Sequence, residues 1–311
     1  MSLRVVFMGS PDFAVPTLRA LHQEFQVVGV ITQTDKPKGR GRKRVATAVK
    51  TAAQEKGLVV EEPGRLSSVE TVDLLQRWKP DVIVVAAYGK ILPQMILKLP
   101  PMGCVNLHAS LLPRYRGASP ISAAVLAGDK VTGVCTILMD EGMDSGDILL
   151  QREVTIQDDD TSGSLHDRLL EPGAALVVET LRGMMEHRIQ PKAQDHSKAT
   201  YTKPLSKEDG RIDWHWEAGF IARLVRAMSP WPAAFFSLSD ETVKVWRATS
   251  EEGHEEPGRI VEIQRSDVLV GTGSGLLRLK EVQAPSRNRV NAGELFRARG
   301  LRAGDQAHEG R

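Results

Sequence analysis

Short apolar runs alternate with amphipathic stretches through the first half of the chain. Runs with the composition of buried strands cover residues 3–8, 26–32, 81–87, 104–108 and 133–139. Helical periodicity lies between them, at residues 13–21, 46–57 and 120–127. Near-continuous Val and Ile runs separated by helices are typical of strands buried on both faces. The pattern therefore predicts an α/β fold with a doubly wound, mostly parallel sheet, and such sheets bind ligands beyond the carboxyl ends of their strands.

The pattern changes beyond a helical stretch at residues 164–186, in which Pro172 and Gly173 are candidates for an interruption. Residues 190–207 are polar and show no sustained periodicity, which favours a linker. Five short strand-like runs with Gly, Ser and Asp turns follow, and they predict a small β-barrel of the oligonucleotide-binding (OB) type. We therefore expect a catalytic domain at 1–189, a linker at 190–207 and an OB-like domain at 208–311.

Composition places the protein among ordinary globular chains. Its 311 residues carry a formal net charge of +2, and 41% of them are hydrophobic and 26% charged. No stretch approaches the roughly 18 apolar residues that a membrane helix needs, and the first residues lack the features of a signal peptide. The two cysteines, Cys104 and Cys135, lie in apolar runs, which suits a reducing compartment. We therefore expect a cytoplasmic protein with no membrane partner.

Polar side chains interrupt the fourth apolar run and follow the fifth. Asn106 and His108 are two positions apart in the predicted strand 104–108, so they project from the same face. Asp144 lies in a glycine-containing acidic loop just beyond the strand 133–139. An amide, an imidazole and a carboxylate at neighbouring strand ends can serve acyl transfer without a covalent intermediate. The alternative is structural, with Asn106 bonded to a neighbouring loop and His108 a satisfied core histidine.

Metal binding is a less favourable interpretation of the same acidic loop. Calcium-loop spacing is absent from it, and no set of Cys and His ligands accompanies the acids. We therefore expect no metal.

Several segments together resemble the bacterial methionyl-tRNA formyltransferases. They are the strings NLHASLLPRYRG at 106–117, MDEGMDSGD at 139–147, VVFMGSPDFAVPTL at 5–18 and TQTDKPKGRGRK at 32–43. The resemblance extends through residues 203–214, 227–232 and 243–248, so it covers most of the chain. It implies the Rossmann-like formyltransferase fold followed by the OB-like domain.

The resemblance also implies an activity and its residues. The family transfers a formyl group from 10-formyltetrahydrofolate, a co-substrate, to the α-amine of methionyl initiator tRNA. Asn106 would then donate to the developing oxyanion, and one such donor is typically worth about 10²–10³ in rate. His108 would assist the oxyanion and proton transfer, and Asp144 would orient His108. Folate would lie against the loop formed by Ser110, Leu111, Leu112 and Pro113.

Two basic segments are candidates for contact with RNA, and the alternative for each is a solvated surface. One holds six cations and no acid, Lys36, Lys38, Arg40, Arg42, Lys43 and Arg44. By resemblance it enters the acceptor arm of initiator tRNA, and Arg287 and Arg289 of the second domain become further candidate phosphate contacts. Trp214, Trp216, Trp231 and Trp246 are expected in the small domain's core and its packing rather than on RNA. We expect a monomer.

Other functions remain open at this point. A sugar-nucleotide formyltransferase, of the type acting on a UDP-amino-arabinose, would use the same three polar residues but would not need the cationic segment. Glycinamide-ribonucleotide formyltransferase lacks the second domain, and a folate deformylase would share the three residues. A dinucleotide-binding dehydrogenase would share the sheet, but the first turn lacks G-x-G-x-x-G. An RNA-binding module without catalysis would leave Asn106, His108 and Asp144 unexplained.

Overall fold

The computed structural model describes residues 2–38, 43–238 and 241–308. The chain forms two compact units, the first made of residues 1–120, 131–155 and 166–202 and the second of 121–130, 156–165 and 203–311. No helix in the described part of the chain is both long enough and apolar enough to span a membrane.

Strands dominate the first unit. They are β1 (Arg4–Gly9), β2 (Gln26–Ile31), β3 (Lys36–Lys38), β4 (Lys43–Val45), β5 (Val60–Glu61), β6 (Val82–Ala86), β7 (Cys104–His108), β8 (Arg116–Gly117), β9 (Val131–Leu138), β10 (Ile148–Thr155) and β11 (Tyr201–Thr202). The helices of this part of the sequence are α1 (Val15–Glu24), α2 (Ala48–Glu55), α3 (Val69–Trp78), α4 (Gln94–Leu97), α5 (Pro120–Ala127) and α6 (Ser162–Met185).

Seven strands form the central sheet in the order β10-β9-β7-β6-β1-β2-β5. The five strands from β7 to β5 are parallel, whereas β9 is antiparallel to β7 and β10 antiparallel to β9. The predicted doubly wound, mostly parallel sheet is confirmed. The sequence predicted a strand at 133–139 but not its direction, because an apolar run buried on both faces has the same pattern in either direction.

The core of this unit explains the composition of its strands. Every residue of β6 and β7 is buried, and Val6 and Met8 of β1 pack with Ile83 and Val85 of β6. α6 runs unbroken through Pro172, so the interruption considered above is absent. A Cβ on the next residue, Gly173, would lie 3.0 Å from the Leu107 side chain. The helix therefore packs closely against β7, the strand that carries Asn106 and His108.

An antiparallel sheet forms the second unit. Its elements are α7 (Ala218–Ala227), β12 (Ala234–Leu238), β13 (Glu241–Glu251), β14 (Ile260–Ile263), β15 (Val268–Gly271), β16 (Leu276–Gln283), β17 (Val290–Asn291) and α8 (Ala292–Ala298). The strand order is β12-β13-β16-β15-β14, with β17 on β16. The C-terminal segment bridges both sides of this sheet, since His308 pairs with Ser237 and Gln306 with Arg259. These features agree with the predicted small OB-like barrel.

The tryptophans of the second unit do not share one environment. Trp214 is 2% exposed and packs edge-on against Phe236, as predicted. Trp216 and Trp231 are 38% and 55% exposed, so the prediction of a core position is wrong for them. Both lie in bends or turns between regular elements, where apolar composition alone does not determine burial.

Part of the segment predicted as a linker is paired with the first unit. Lys192 and Ile148 exchange two backbone hydrogen bonds of 2.8 Å, and β11 pairs in parallel with β8. The backbone of residues 192–202 is thus fixed beside the loop that follows β7. The predicted domain limits of 1–189, 190–207 and 208–311 stay predictions.

Candidate active site

β7 brings Asn106 and His108 to the carboxyl edge of the central sheet. The two residues alternate with Val105 and Leu107, and their side chains therefore share one face of the strand. Asn106 is 8% exposed and His108 is 6% exposed. Two polar side chains held in a buried strand need partners, and these partners come from the loops that follow β7 and β9.

The carboxylate of Asp144 lies between the two side chains. Its Oδ1 is 3.4 Å from Nδ2 of Asn106, and its Oδ2 is 3.5 Å from Nδ1 of His108. Oδ2 also accepts a 2.8 Å hydrogen bond from the backbone N–H of Gly117. The Asp144 side chain is 19% exposed, so the carboxylate remains accessible at the rim of the site. The structure thus brings together the three catalytic residues predicted from the sequence.

The position of the His108 ring determines which nitrogen can exchange a proton. Its Nε2 lies 2.9 Å from the backbone carbonyl oxygen of Tyr115. Because a carbonyl oxygen only accepts, Nε2 carries the hydrogen in this contact. Nδ1, which faces Asp144, is then the nitrogen that can take or release a proton.

Two glycines allow the surrounding loops to approach so closely. Gly117 has φ +102°, and a Cβ there would lie 2.2 Å from the carbonyl oxygen of Thr202. A Cβ on Gly146 would lie 1.9 Å from the carbonyl oxygen of Leu138. Asp144 itself has φ +50°, a left-handed conformation that Asp adopts more readily than most residues. The carboxylate therefore depends on an uncommon backbone conformation held from both sides.

The loop predicted to bind folate lies next to this site. The Ser110 hydroxyl is buried and donates a 2.6 Å hydrogen bond to the carbonyl oxygen of Arg114. Leu112 packs with Cys135 and Ile137, and its carbonyl oxygen accepts from Nε2 of Gln151 at 2.9 Å. Leu111 and Pro113 are partly exposed. The loop thus offers a ligand the side chains of its first leucine and its proline, with the other two residues fixing its shape.

The first basic segment forms a hairpin of β3 and β4. Lys36 and Lys38 lie on β3 and Lys43 and Arg44 on β4, with Lys38 paired to Lys43 and Arg44 exposed. Arg40 and Arg42 lie outside the described residues.

The base of this hairpin is anchored on both arms. The hydroxyls of Thr32 and Thr47 are 2.7 Å apart, and Nζ of Lys50 lies 3.0 Å from Asp35 and 2.8 Å from Glu62. The hydrogen bond from Lys50 lowers the pKa of Asp35. Asp35 is therefore ionised and paired, although it directly precedes the cations of the hairpin.

In the second unit, pairing distinguishes the basic residues from one another. Arg278 bonds to Glu251 and Asp267, and Arg299 bonds to Glu241. Arg287 and Arg289 are exposed and have no carboxylate partner among the described residues. The Arg289 guanidinium instead lies 3.6 Å over the ring of Trp246.

Lys244 lies close to the same indole, and the ring is tied to the loop of Arg287. The Nζ of Lys244 is 6.0 Å from the Trp246 ring centroid, and Trp246 Nε1 donates to Gln283 at 3.0 Å. Gln283 in turn donates to the carbonyl oxygen of Arg287 at 2.7 Å. We call Lys244, Trp246, Arg287 and Arg289 the indole patch. Its charges are uncompensated within the described chain, which suits contact with an anion.

Sequence analysis missed several residues that surround Asp144. Gly117 supplies an N–H, Tyr115 supplies a carbonyl oxygen to His108, and Gln194 donates to the carbonyl oxygen of Asp144 at 2.8 Å. No pattern in the sequence marks Gln194, because it lies in a polar segment 50 residues beyond Asp144. Gly117 could have been suspected, since a glycine in a loop beyond a strand often permits close backbone approach.

The two cysteine thiols are buried, and the described chain contains no cluster of metal ligands. Burial raises the pKa of both thiols, Cys104 and Cys135, to about 12, so each remains protonated near neutral pH. Within the residues that the structure covers, no group of three or more His, Cys, Asp or Glu is placed to hold a metal ion.

Two family profiles match the chain, one for each part of it. The profile described as formyl transferase matches residues 3–181, and the profile described as formyl transferase, C-terminal domain, matches residues 204–300. The first match contains Asn106, His108 and Asp144, and the second contains the indole patch.

Individual proteins with these domains are similar over most of the chain. The methionyl-tRNA formyltransferase of Clostridium perfringens is 44% identical over 291 residues, which are 93% of this chain and 94% of that protein. An N-formyltransferase from Helicobacter canadensis, solved with folinic acid and dTDP-3-aminofucose, has a TM-score of 0.68 at 16% identity, with coverage of 91% and 99%.

A third similar protein is considerably longer. HypX from Aquifex aeolicus, solved with tetrahydrofolic acid, has a TM-score of 0.63 at 18% identity. The match covers 95% of this chain but 47% of HypX. At identities this low, the two solved structures establish the fold only.

Proposed function

The chain belongs to the methionyl-tRNA formyltransferases of the formyl transferase family, and from this premise we propose how its residues act. The reaction moves a formyl group from 10-formyltetrahydrofolate to the α-amine of methionyl-tRNA. Asn106, His108 and Asp144 take the chemical roles, and the observation that carries the proposal is the convergence of Asn106 and His108 on the Asp144 carboxylate.

The chemistry requires an oxyanion donor and a proton acceptor. The amine nitrogen attacks the formyl carbon, and the carbonyl oxygen becomes an oxyanion to which the Asn106 amide donates. His108 takes the amine proton at Nδ1, and Asp144 stabilises the resulting imidazolium. The bond from the formyl carbon to N10 of tetrahydrofolate then breaks, and His108 returns the proton to the leaving nitrogen. The nucleophile belongs to the substrate, which agrees with both thiols remaining protonated.

We further propose the contacts that hold the two substrates. Folate lies against the loop of Ser110, Leu111, Leu112 and Pro113, chiefly on Leu111 and Pro113, whose side chains are partly exposed. Initiator tRNA contacts the first basic segment, whose cations in the sequence are Lys36, Lys38, Arg40, Arg42, Lys43 and Arg44. Arg287 and Arg289 of the indole patch bind phosphate, supported by their exposure and by their lack of a carboxylate partner within the described chain. We also propose that the protein is a monomer located in the cytoplasm. Sedimentation of the purified protein measures its oligomeric state.

A competition assay tests this function against its sugar-nucleotide alternative. The protein is given 10-formyltetrahydrofolate with charged initiator tRNA and a UDP-amino sugar together, and the products are identified by mass. We expect N-formylmethionyl-tRNA to dominate, and formylation of the sugar alone would reject the proposal.

The same assay isolates the role of Asn106. Asn106→Ala removes the oxyanion donor, so we expect kcat to fall by about 10²–10³ with a smaller change in either KM. An unaltered kcat in a folded variant would contradict the assigned role.

A further inference from the structure

A buried arginine lies behind the catalytic loop without an ion-pair partner. Arg116 is 2% exposed, and no carboxylate is paired with it among the residues that the structure describes. Its Nε and Nη2 both donate to Oε1 of Gln194, at 3.2 and 2.7 Å. Its other contacts are Nη1 to the Tyr201 hydroxyl at 3.2 Å and Nη2 to Nδ1 of His196 at 3.1 Å. A guanidinium is costly to bury, so this arrangement needs an explanation.

Gln194 connects this guanidinium to the loop that carries Asp144. Its Nε2 donates to the carbonyl oxygens of Asp144 and Gly146, at 2.8 and 2.7 Å. Because both carbonyls and the guanidinium have fixed hydrogen-bonding roles, the orientation of the Gln194 amide is determined. Both amide hydrogens and the carbonyl oxygen of this 6% exposed side chain are engaged. Gln194 therefore acts as a rigid brace.

The contacts close into a ring through the backbone. Arg116 is followed by Gly117, whose N–H donates to Oδ2 of Asp144 at 2.8 Å. The side chain of Arg116 holds Gln194, and Gln194 holds the carbonyl oxygen of Asp144. Gly117 thus fixes the carboxylate of Asp144, and Gln194 fixes the backbone carbonyl oxygen of the same residue. The left-handed φ of +50° at Asp144 makes such support necessary, because unsupported residues rarely keep that conformation.

We propose that Gln194 and Arg116 are positioning residues for the reaction, which hold the Asp144 carboxylate between Asn106 and His108. The inference rests on the catalytic role proposed for Asp144. Neither residue touches the reacting atoms, and each acts only through the aspartate. The permanent charge of Arg116 strengthens the bonds of the Gln194 amide, since a polarised amide donates more strongly.

A double-mutant cycle tests the dependence on Asp144. In the full-length protein, Gln194→Met removes both donors at similar volume, and we expect kcat to fall by about tenfold to a hundredfold with KM for either substrate changed less than about threefold. In an Asp144→Asn background the same substitution should change kcat by less than about twofold. An equal factor in both backgrounds would overturn the inference.

The cycle separates this inference from the proposed function. If Asp144→Asn alone retains the full kcat, the catalytic role of Asp144 fails and the inference fails with it. If Asp144→Asn lowers kcat and the losses of kcat caused by Gln194→Met and Asp144→Asn multiply, the positioning role of Gln194 is rejected, whereas the catalytic role of Asp144 stands.

A second variant distinguishes the donors from the arginine contact. Gln194→Glu keeps an oxygen that accepts from Arg116. Its second carboxylate oxygen, however, faces the carbonyl oxygens of Asp144 and Gly146 and cannot donate to them. We expect the same loss of kcat as for Gln194→Met, and a wild-type rate would overturn the inference. Gln194→Glu replaces Gln194→Met in the cycle if the latter does not fold.

Two further measurements exclude a general loss of stability. Thr180→Val breaks a buried hydroxyl pair with Thr136, 2.8 Å apart and outside the ring, and we expect lower stability at unchanged kcat. In NMR spectra of ¹⁵N-histidine-labelled protein, the His108 ring signals should move in Gln194→Met and stay in place in Thr180→Val. Unmoved His108 signals in Gln194→Met would count against positioning.

Discussion

At the scale of single residues, the site depends on positions where no larger side chain fits. Gly117 is one of these, since its N–H reaches the Asp144 carboxylate only because the chain passes 2.2 Å from where a Cβ would stand. Its φ of +102° lies outside the usual range of residues with side chains. Backbone freedom at this glycine therefore helps to fix the position of the Asp144 carboxylate.

Gly117→Ala tests this dependence. We expect a loss of stability of about 1–3 kcal/mol or more, the usual cost of a strained backbone position, together with a fall in kcat of about tenfold or more. Urea unfolding and initial rates measure the two effects.

Gly57→Ala provides the matched control. Gly57 has φ +67°, but no atom lies within 4 Å of the position that a Cβ would take, so its substitution should cost about 1 kcal/mol and leave kcat unchanged. Equal losses of activity in the two variants would contradict the argument.

At the scale of secondary-structure elements, one arginine joins three parts of the antiparallel sheet. Arg278 of β16 bonds to Glu251 at the end of β13 and to Asp267 next to β15. The hydrogen bond from Arg278 lowers the pKa of Glu251. Burial raises the pKa of Asp267, but hydrogen bonds from Ser266 and Arg278 outweigh it, and the net pKa is lowered. Both carboxylates are thus ionised partners of one guanidinium that is 17% exposed.

We expect Arg278→Met to destabilise the second unit by about 1–3 kcal/mol at pH 7, because two carboxylates lose a charged partner. Lowered folded-state pKa values contribute stability above the ordinary values of 4.5 and 3.8, and this contribution is lost as pH falls through the folded values. The difference between wild type and variant should therefore shrink below about pH 4.

Urea titrations at several pH values measure this effect. Arg299→Gln is the control, since Arg299 and Glu241 are 42% and 47% exposed and such pairs contribute at most about 1 kcal/mol. A gap that stays constant down to pH 2 would show that the ion pairs are not its origin.

At the scale of the whole molecule, a near-neutral net charge conceals an uneven distribution of unpaired cations. Within the described residues, the cations of the indole patch have no carboxylate partner, whereas Arg278 and Arg299 are neutralised locally. The basic segment of residues 36–44 contains six cations and no acid in its sequence. Nucleic-acid affinity follows the charges that are free to replace counterions. We therefore expect RNA affinity to depend on which basic residues lack acidic partners rather than on the total number of basic residues.

Arg289→Gln should weaken initiator tRNA binding and make its dependence on salt shallower by about 0.7–0.9 in the log–log slope if one phosphate contact is lost. Replacing the six hairpin cations with Gln should have a larger effect of the same kind. Tetrahydrofolate binding should not change in either variant. Binding titrations at several salt concentrations provide the measurement.

Arg299→Gln removes the same charge from a cation that already has a carboxylate partner. Its effect on the salt slope should be close to zero. If it equals that of Arg289→Gln, total charge explains the affinity and the indole patch has no special role.

The sequence predicted some strands and helices of the fold and missed others. Strand 104–108 and helix 120–127 were predicted with the observed limits, because mainly apolar runs bounded by polar or glycine-containing segments mark them. The pairing of β3 with β4 and of β11 with β8 was missed, since these strands are two or three residues long and polar. The pairing of β11 with β8 also depends on backbone that is distant in the sequence, which composition does not reveal.

The sequence by itself determined which residue types are available to the site, since strand periodicity puts Asn106 and His108 on one face. The antiparallel pairing of β9 with β7, which brings the loop of Asp144 beside them, belongs to the fold. Only the tertiary structure decided how the aspartate is held, through Gly117 and the Arg116–Gln194 brace. The physical reason is that periodicity is a local property, whereas these hydrogen bonds join residues 27, 50 and 78 positions apart whose approach depends on the packed fold.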